Sequence, residues 1–116
     1  REVKNILNAY LAVPYRKTSP QVILKTVADF FSIPLSDLTK RSRKKDIVKP
    51  RQIAMYLLRE EIKLSFPEIG QKLGGRDHST VIHACEKMKS GEAGDESLKN
   101  ELVLIRQRIY DSIDQG

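Results

Sequence analysis

Segment after segment of this chain repeats apolar residues at spacings of three and four, and several are opened by a helix-starting residue or closed by proline or glycine. No run of β-branched residues alternates with polar ones, so the fold is restricted to helices packed on helices. Val3, Ile6, Leu7, Tyr10 and Leu11 predict a short helix over residues 2–11. The proline-flanked polar stretch from Pro14 to Ser19 reads as a linker. Ser19 as N-cap and Pro20 in the first turn then open a helix with Ile23, Val27, Phe30 and Phe31 facing inward, which Pro34 closes. Pro50 opens the next, burying Ile53, Ala54, Leu57, Leu58 and Ile62. Ser65-Phe66-Pro67-Glu68 spells a capping box for a short helix to Leu73. Gly74-Gly75 ends that helix, and Asp77 caps another that runs through Lys89 and is expected to stop at Gly91. A last helix from Asp95 carries Leu98, Leu102, Ile105, Ile109 and Ile113. The expectation is an all-α chain of about six helices without an internal repeat.

At 116 residues the chain has one domain's length, enough to bury roughly two-thirds of its unfolded surface. With 40% hydrophobic and 31% charged residues, and no apolar run approaching about 18 residues, a globular protein is expected rather than a transmembrane one. The lone cysteine, Cys85, excludes an internal disulfide framework and a cysteine-rich zinc site, and makes the cytoplasm the expected compartment. The opening Arg1-Glu2-Val3-Lys4 has neither an initiator methionine nor an apolar stretch behind it, so no signal peptide is expected and the chain reads as a fragment of something longer.

Twenty-one basic residues against 15 acidic leave a net charge of +6, which calls for a polyanion, either nucleic acid or an anionic membrane surface. The excess is local. Between Lys40 and Arg51 lie seven basic residues and one acidic, a net +6, and the remainder of the chain is balanced. A charge run is usually a solvated loop. This one leads into a helix whose first turn carries Arg51 and Gln52, where basic side chains and helix amides can clamp phosphate, and an arginine such as Arg43 can enter a narrow A·T minor groove.

Two short helices joined by a glycine-containing turn, 66–73 and 77–89, have the proportions of a helix-turn-helix, a pattern that plain helical hairpins share. The faces of the second helix tip the balance. Val81, Ala84, Cys85 and Met88 fall within an arc of about 100°, with Ser79, Thr80, His83 and Lys87 opposite. Arg76, Asp77 and His78 cluster at its N-terminus, the end that enters the major groove in such motifs. Asp77 is equally an ordinary N-cap, although its carboxylate can accept from the exocyclic amine of cytosine.

Catalytic readings fare worse. His78 and His83 lie about 140° apart around a helix, and about 10 Å of rise separates His78 from Cys85, so neither pair makes a metal or nucleophile site. No phosphate-binding loop of the G-x-x-x-x-G-K-[ST] type occurs. Neither an enzyme nor a small-molecule substrate is expected.

The contiguous run Gly74-Gly75-Arg76-Asp77-His78-Ser79-Thr80-Val81-Ile82-His83-Ala84-Cys85 closely resembles the signature of the bacterial chromosomal replication initiator family, DnaA, in its C-terminal DNA-binding domain. Lys49-Pro50-Arg51-Gln52-Ile53-Ala54-Met55-Tyr56-Leu57 and Pro67-Glu68-Ile69-Gly70 match the same family in order and spacing, and the likeness runs from Ser19 to Lys89. The start, Arg1 to Asn8, looks like the end of that family's ATPase lid. The resemblance implies residues 1–18 as a linker helix with a lid remnant, and residues 19–116 as a Trp-repressor-like helix-turn-helix domain. It implies double-stranded DNA containing DnaA boxes as partner, other initiator protomers through domains absent here, ATP only in the absent ATPase domain, and a cytoplasmic, nucleoid-associated location. It further implies that Arg43 enters the minor groove, that Asp77, His78 and Ser79 contact bases in the major groove, and that Phe66 and Pro67 pack near thymine methyls. Arg51, Gln52, Arg59, Arg76, Thr80 and Lys87 would contact phosphates. The chain departs from the family at Ser79, where threonine is common, which removes a methyl contact to thymine, and at Phe66, which is bulkier than the usual aliphatic residue.

Two alternatives stand beside this reading. In one, the 2–11 helix and the basic segment lie on anionic lipid, the family's junction before this domain being associated with acidic phospholipids, here near residues 1–13. In the other the chain regulates transcription, as DnaA-like proteins do near their boxes.

Overall fold

The computed structural model describes residues 18–42 and 44–115, the last four of these in backbone only. The expected helix over 2–11 and Arg43 lie outside the described residues.

Helix α1 (Pro20–Phe30) starts as its sequence dictates: the Ser19 side chain accepts from the Val22 amide at 3.2 Å, and Pro20 occupies the first turn. Ile23 and Val27 are wholly buried with Leu24 and Ala28 beside them, whereas Phe30 and Phe31 are half-buried and meet edge to face, 5.1 Å between ring centroids. After Pro34 comes a five-residue helix, α2 (Leu35–Thr39), absent from the periodicity reading because so short a piece contributes one core residue, Leu38.

The basic segment is less of a loop than its charge suggested. A 3₁₀ turn (Lys45–Ile47) runs directly into α3 (Val48–Ile62), so the helix begins two residues before Pro50. Proline is harmless there, since an amide in the first turn has no intrahelical partner to lose. Ile53, Ala54, Met55, Tyr56, Leu57 and Leu58 are all buried in succession, because α3 runs through the middle of the domain and packs against α1 and the helix pair that follows. It ends at Lys63 in the left-handed conformation (φ 58°), whose amide returns to the Leu58 and Arg59 carbonyls.

Helix α4 (Phe66–Lys72) opens with the full capping box: the Ser65 hydroxyl accepts from the Glu68 amide and the Glu68 carboxylate from the Ser65 amide, both at 3.2 Å. Helix α5 (His78–Gly94) corrects the expected stop at Gly91: it continues to Gly94. Gly91 has a packing reason to be glycine, since a Cβ there would sit 2.5 Å from a Leu98 methyl of the next helix, α6 (Glu96–Gln115). Asp95 separates the two, its carboxylate accepting from the Ser97 and Leu98 amides. Leu98, Leu102, Ile105 and Ile109 are buried as spaced; the Ile113 side chain lies outside the described residues.

A polar brace ties α3, α5 and α6 together. The Arg106 guanidinium donates to Glu61 at 2.9 Å and to Glu92 at 2.6 Å, and the Tyr110 and Tyr56 hydroxyls donate to the same two carboxylates. Losing those protons would strand a tyrosinate beside a carboxylate, so burial and the carboxylates hold both tyrosine pKa values above the usual range. Among the described residues there is no strand.

Candidate nucleic-acid interface

The turn between α4 and α5 depends on three glycines. Gly74 and Gly75 adopt φ of 89° and 75°, a region that L side chains avoid. Gly70 solves a contact problem instead: a Cβ at that position would lie 2.1 Å from the Arg76 carbonyl oxygen. The Arg76 amide donates to the Gly70 carbonyl at 2.8 Å and its guanidinium Nε to the Leu73 carbonyl at 3.2 Å. These contacts set α5 against α4 with its first turn projecting into solvent.

On that first turn Asp77, His78, Ser79 and Thr80 are all exposed, as are His83 and Lys87 further along, while Val81, Ala84, Cys85 and Met88 face the core. The predicted division of faces is therefore the observed one. Asp77 serves as the cap, one carboxylate oxygen accepting from the Ser79 amide at 3.0 Å, and the hydrogen bonds from Ser79 hold its pKa below the ordinary value. Its other oxygen lies 3.8 Å from His78 Nδ1. The capping role and an acceptor role toward a ligand are thus compatible, because a carboxylate has lone pairs for both.

The α4 N-terminus lies beside the middle of α5, Phe66 lining a shallow groove with Ile82, Cys85 and Lys89. Pro67 is exposed, and the half-buried Phe66 ring lies under the Arg59 guanidinium, 4.3 Å from its centroid. Arg59 also donates to the Leu64 carbonyl at 2.9 Å, so part of its donor capacity already serves the chain.

Arg51, at the start of α3, and Arg76, in the turn, are brought together from 25 positions apart. Burial first, and the neighbouring Arg76 charge second, lower the Arg51 pKa from its usual value. Arg51 Nη1 and Arg76 Nη2 are buried without a hydrogen-bond partner among the described residues. Two neighbouring guanidinium groups of like charge favour an anion at whatever nitrogens they leave open to solvent. Gln52 and Lys87 share a shallow groove of about 460 Å³ with Lys45, Lys49, Val48 and Met88. Within it Lys49 is paired with Glu101 at 2.7 Å.

Of the sequence-predicted residues, the structure brings Arg51 beside Arg76, Gln52 with Lys87 in the groove and Phe66 beneath Arg59, and leaves Pro67 and Asp77 to Thr80 exposed. Arg43 lies outside the described residues. Two basic residues with contacts across the fold were not singled out by the sequence, Lys45 in the groove and Arg41, which donates to the Gly75 carbonyl at 3.0 Å. Their membership of the basic run was the available signal; nothing in the run identifies a partner across the fold.

Among the described residues no group of three or more His, Cys, Asp or Glu could hold a metal ion, and no helix is long and apolar enough to cross a membrane. Burial pushes the Cys85 thiol up to about 11, which leaves it protonated and unreactive at neutral pH. The lipid alternative rests on residues 2–11, outside the described residues.

Comparison with known proteins gives the surface a family. The profile described as "Bacterial dnaA protein helix-turn-helix" matches residues 20–88, which takes in α1 through most of α5. The chain is 46% identical over 93 residues to the chromosomal replication initiator protein DnaA of Thermomicrobium roseum, covering 80% of this chain and 20% of that protein. To its counterpart in Roseiflexus castenholzii it is 46% identical over 97 residues, 84% of this chain and 20% of the relative. To that of Paraburkholderia phymatum it is 44% identical over 106 residues, 91% and 20% respectively. The chain therefore spans about a fifth of the length of the curated relatives it matches. With the match running through the capping box, the glycine turn and the exposed first turn of α5, the chain belongs to the bacterial DnaA helix-turn-helix family.

Proposed function

We propose that this domain reads double-stranded DNA in sequence-specific fashion at the DnaA boxes of a replication origin. The observation that carries the proposal is the like-charged pair Arg51 and Arg76 at the turn that leads into the exposed, polar first turn of α5. Phosphate neutralises this paired charge from the solvent side, and with the backbone held there the neighbouring N-terminus of α5 faces the major groove. In that arrangement Asp77, His78 and Ser79 meet base edges, and Phe66 and Pro67 approach thymine methyls. Arg51, Gln52, Arg59, Arg76, Thr80 and Lys87 contact the backbone, and Arg43 enters the minor groove. The domain performs no chemistry of its own. It places the remainder of a longer initiator, with its ATP site and its contacts to other protomers, at the origin in the cytoplasm. Residues 1–18 serve as the linker to that remainder.

The test is titration of a box duplex and a scrambled duplex at several salt concentrations. Box DNA binds on the order of 10³-fold more tightly, and log Kd changes with log salt by about 0.9 per phosphate neutralised. Arg51→Ala weakens both duplexes and flattens the slope by about one unit, whereas His78→Ala weakens the box alone, by about 1–3 kcal/mol. Equal affinity of the parent chain for box and scramble refutes the reading.

A further inference from the structure

The basic segment and the helix-turn-helix turn are joined at one point that neither charge nor helix periodicity anticipates. Arg41 Nη2 donates to the carbonyl of Gly75 at 3.0 Å, across 34 positions of sequence. The neighbouring Gly74 touches the same stretch of chain: a Cβ there would lie 2.9 Å from the Lys40 carbonyl carbon and 3.0 Å from the Arg41 amide nitrogen. One contact is polar and the other steric, and both run between the backbone of the turn and the first two residues of the basic segment. A few residues on, Lys44 is held to Asp37 of α2 at 3.4 Å, so the segment is anchored on either side of position 43.

From these contacts we infer that Arg41 is a positioning residue: it latches the basic segment to the recognition turn, so that the two present their DNA contacts at one set offset along the duplex. This rests on the DNA-reading assignment above. The physical reason is that a donor spent on a protein carbonyl orders the segment before DNA arrives. Binding then costs less ordering entropy, and binding in a shifted register is penalised. An arginine that merely met phosphate would add affinity to every sequence alike.

The test uses a box selected from random DNA by the parent chain. In a second duplex one base pair is inserted between the base pairs that the parent chain's footprint assigns to α5 and those it assigns to the basic segment. The parent chain binds the inserted duplex at least a hundredfold more weakly than the box. Arg41→Ala is expected to bind the box about tenfold more weakly while distinguishing box from inserted duplex by less than tenfold, with its salt slope unchanged. In the DNA-free protein, amide relaxation at Ser42 and Lys44 should report greater mobility in Arg41→Ala at an unchanged melting temperature. A variant that weakens both duplexes equally and flattens the slope by one unit makes Arg41 a plain phosphate contact and overturns the inference, as does a variant identical to the parent. If the parent chain itself fails to prefer box over scramble, the DNA-reading assignment falls instead.

Discussion

Replacing Gly70 by alanine places a methyl carbon 2.1 Å from the Arg76 carbonyl oxygen, about 0.9 Å inside the 3.0 Å limit that Cβ contacts respect. The obstacle is backbone, and it is held in place by the hydrogen bond from the Arg76 amide to the Gly70 carbonyl at 2.8 Å. The turn must therefore open. Alanine gains about 1 kcal/mol over glycine in a helix interior, whereas overpacking costs about 1–3 kcal/mol and a weakened buried hydrogen bond about 1 kcal/mol more. The net is a loss of about 2 kcal/mol, which lowers the urea midpoint by about 1 M for a domain of this size. Gly94→Ala is the control, because Gly94 is also helical, at the last residue of α5, and no atom lies within 4 Å of a Cβ there. It should be neutral or more stable by up to about 1 kcal/mol. Urea unfolding followed by far-UV circular dichroism gives both values, and box binding by Gly70→Ala, measured where the variant is fully folded, should also fall because the displaced turn carries α5 with it. A Gly70→Ala protein as stable as Gly94→Ala would refute the close approach of α4 to the turn.

The Arg106 brace predicts that Arg106→Met destabilises by about 3 kcal/mol in thermal or urea unfolding, since Glu61 and Glu92 would be left partly buried without a cation, and that replacing both by glutamine in the same chain recovers most of the loss. Hydrogen bonds from Ser65 lower the folded-state Glu68 pKa below its ordinary 4.5, so the stabilisation is complete above that value and disappears as pH falls through the folded-state pKa. Melting temperatures from about pH 5 down to about pH 3 should therefore fall less steeply for Glu68→Gln, whose amide can still close the capping box, than for the parent chain. With its thiol pushed up to about 11 and its side chain in the core, Cys85 should react with a thiol-specific disulfide reagent at the rate of unfolding, and immediately in denaturant. Rapid reaction in the native protein would place α5 differently.

Where residues within about four positions of one another decide a conformation, the chain was legible. The Ser19 cap, the Ser65 capping box, the Gly74-Gly75 turn, the Asp77 cap and the two faces of α5 all appear where the spacing put them. The failures share a cause. Gly91 looked like a stop because glycine commonly ends helices, yet it lies inside α5 to admit Leu98. The α3 start was placed at Pro50 because proline favours first turns, but the chain is already helical from Val48. Helix α2 fully buries one side chain of its five, Leu38, and is too short to show a period.

The sequence by itself determined the all-α class, the excess of charge between Lys40 and Arg51, and the residues that α5 turns outward, because helix caps and amphipathic stripes are local energies. Tertiary structure alone decided that Arg51 meets Arg76, that Arg41 reaches the Gly75 carbonyl, and that Arg106 gathers Glu61 and Glu92. Those pairings join residues between 14 and 45 positions apart, and which basic residue meets which partner depends on how the helices cross rather than on any spacing along the chain.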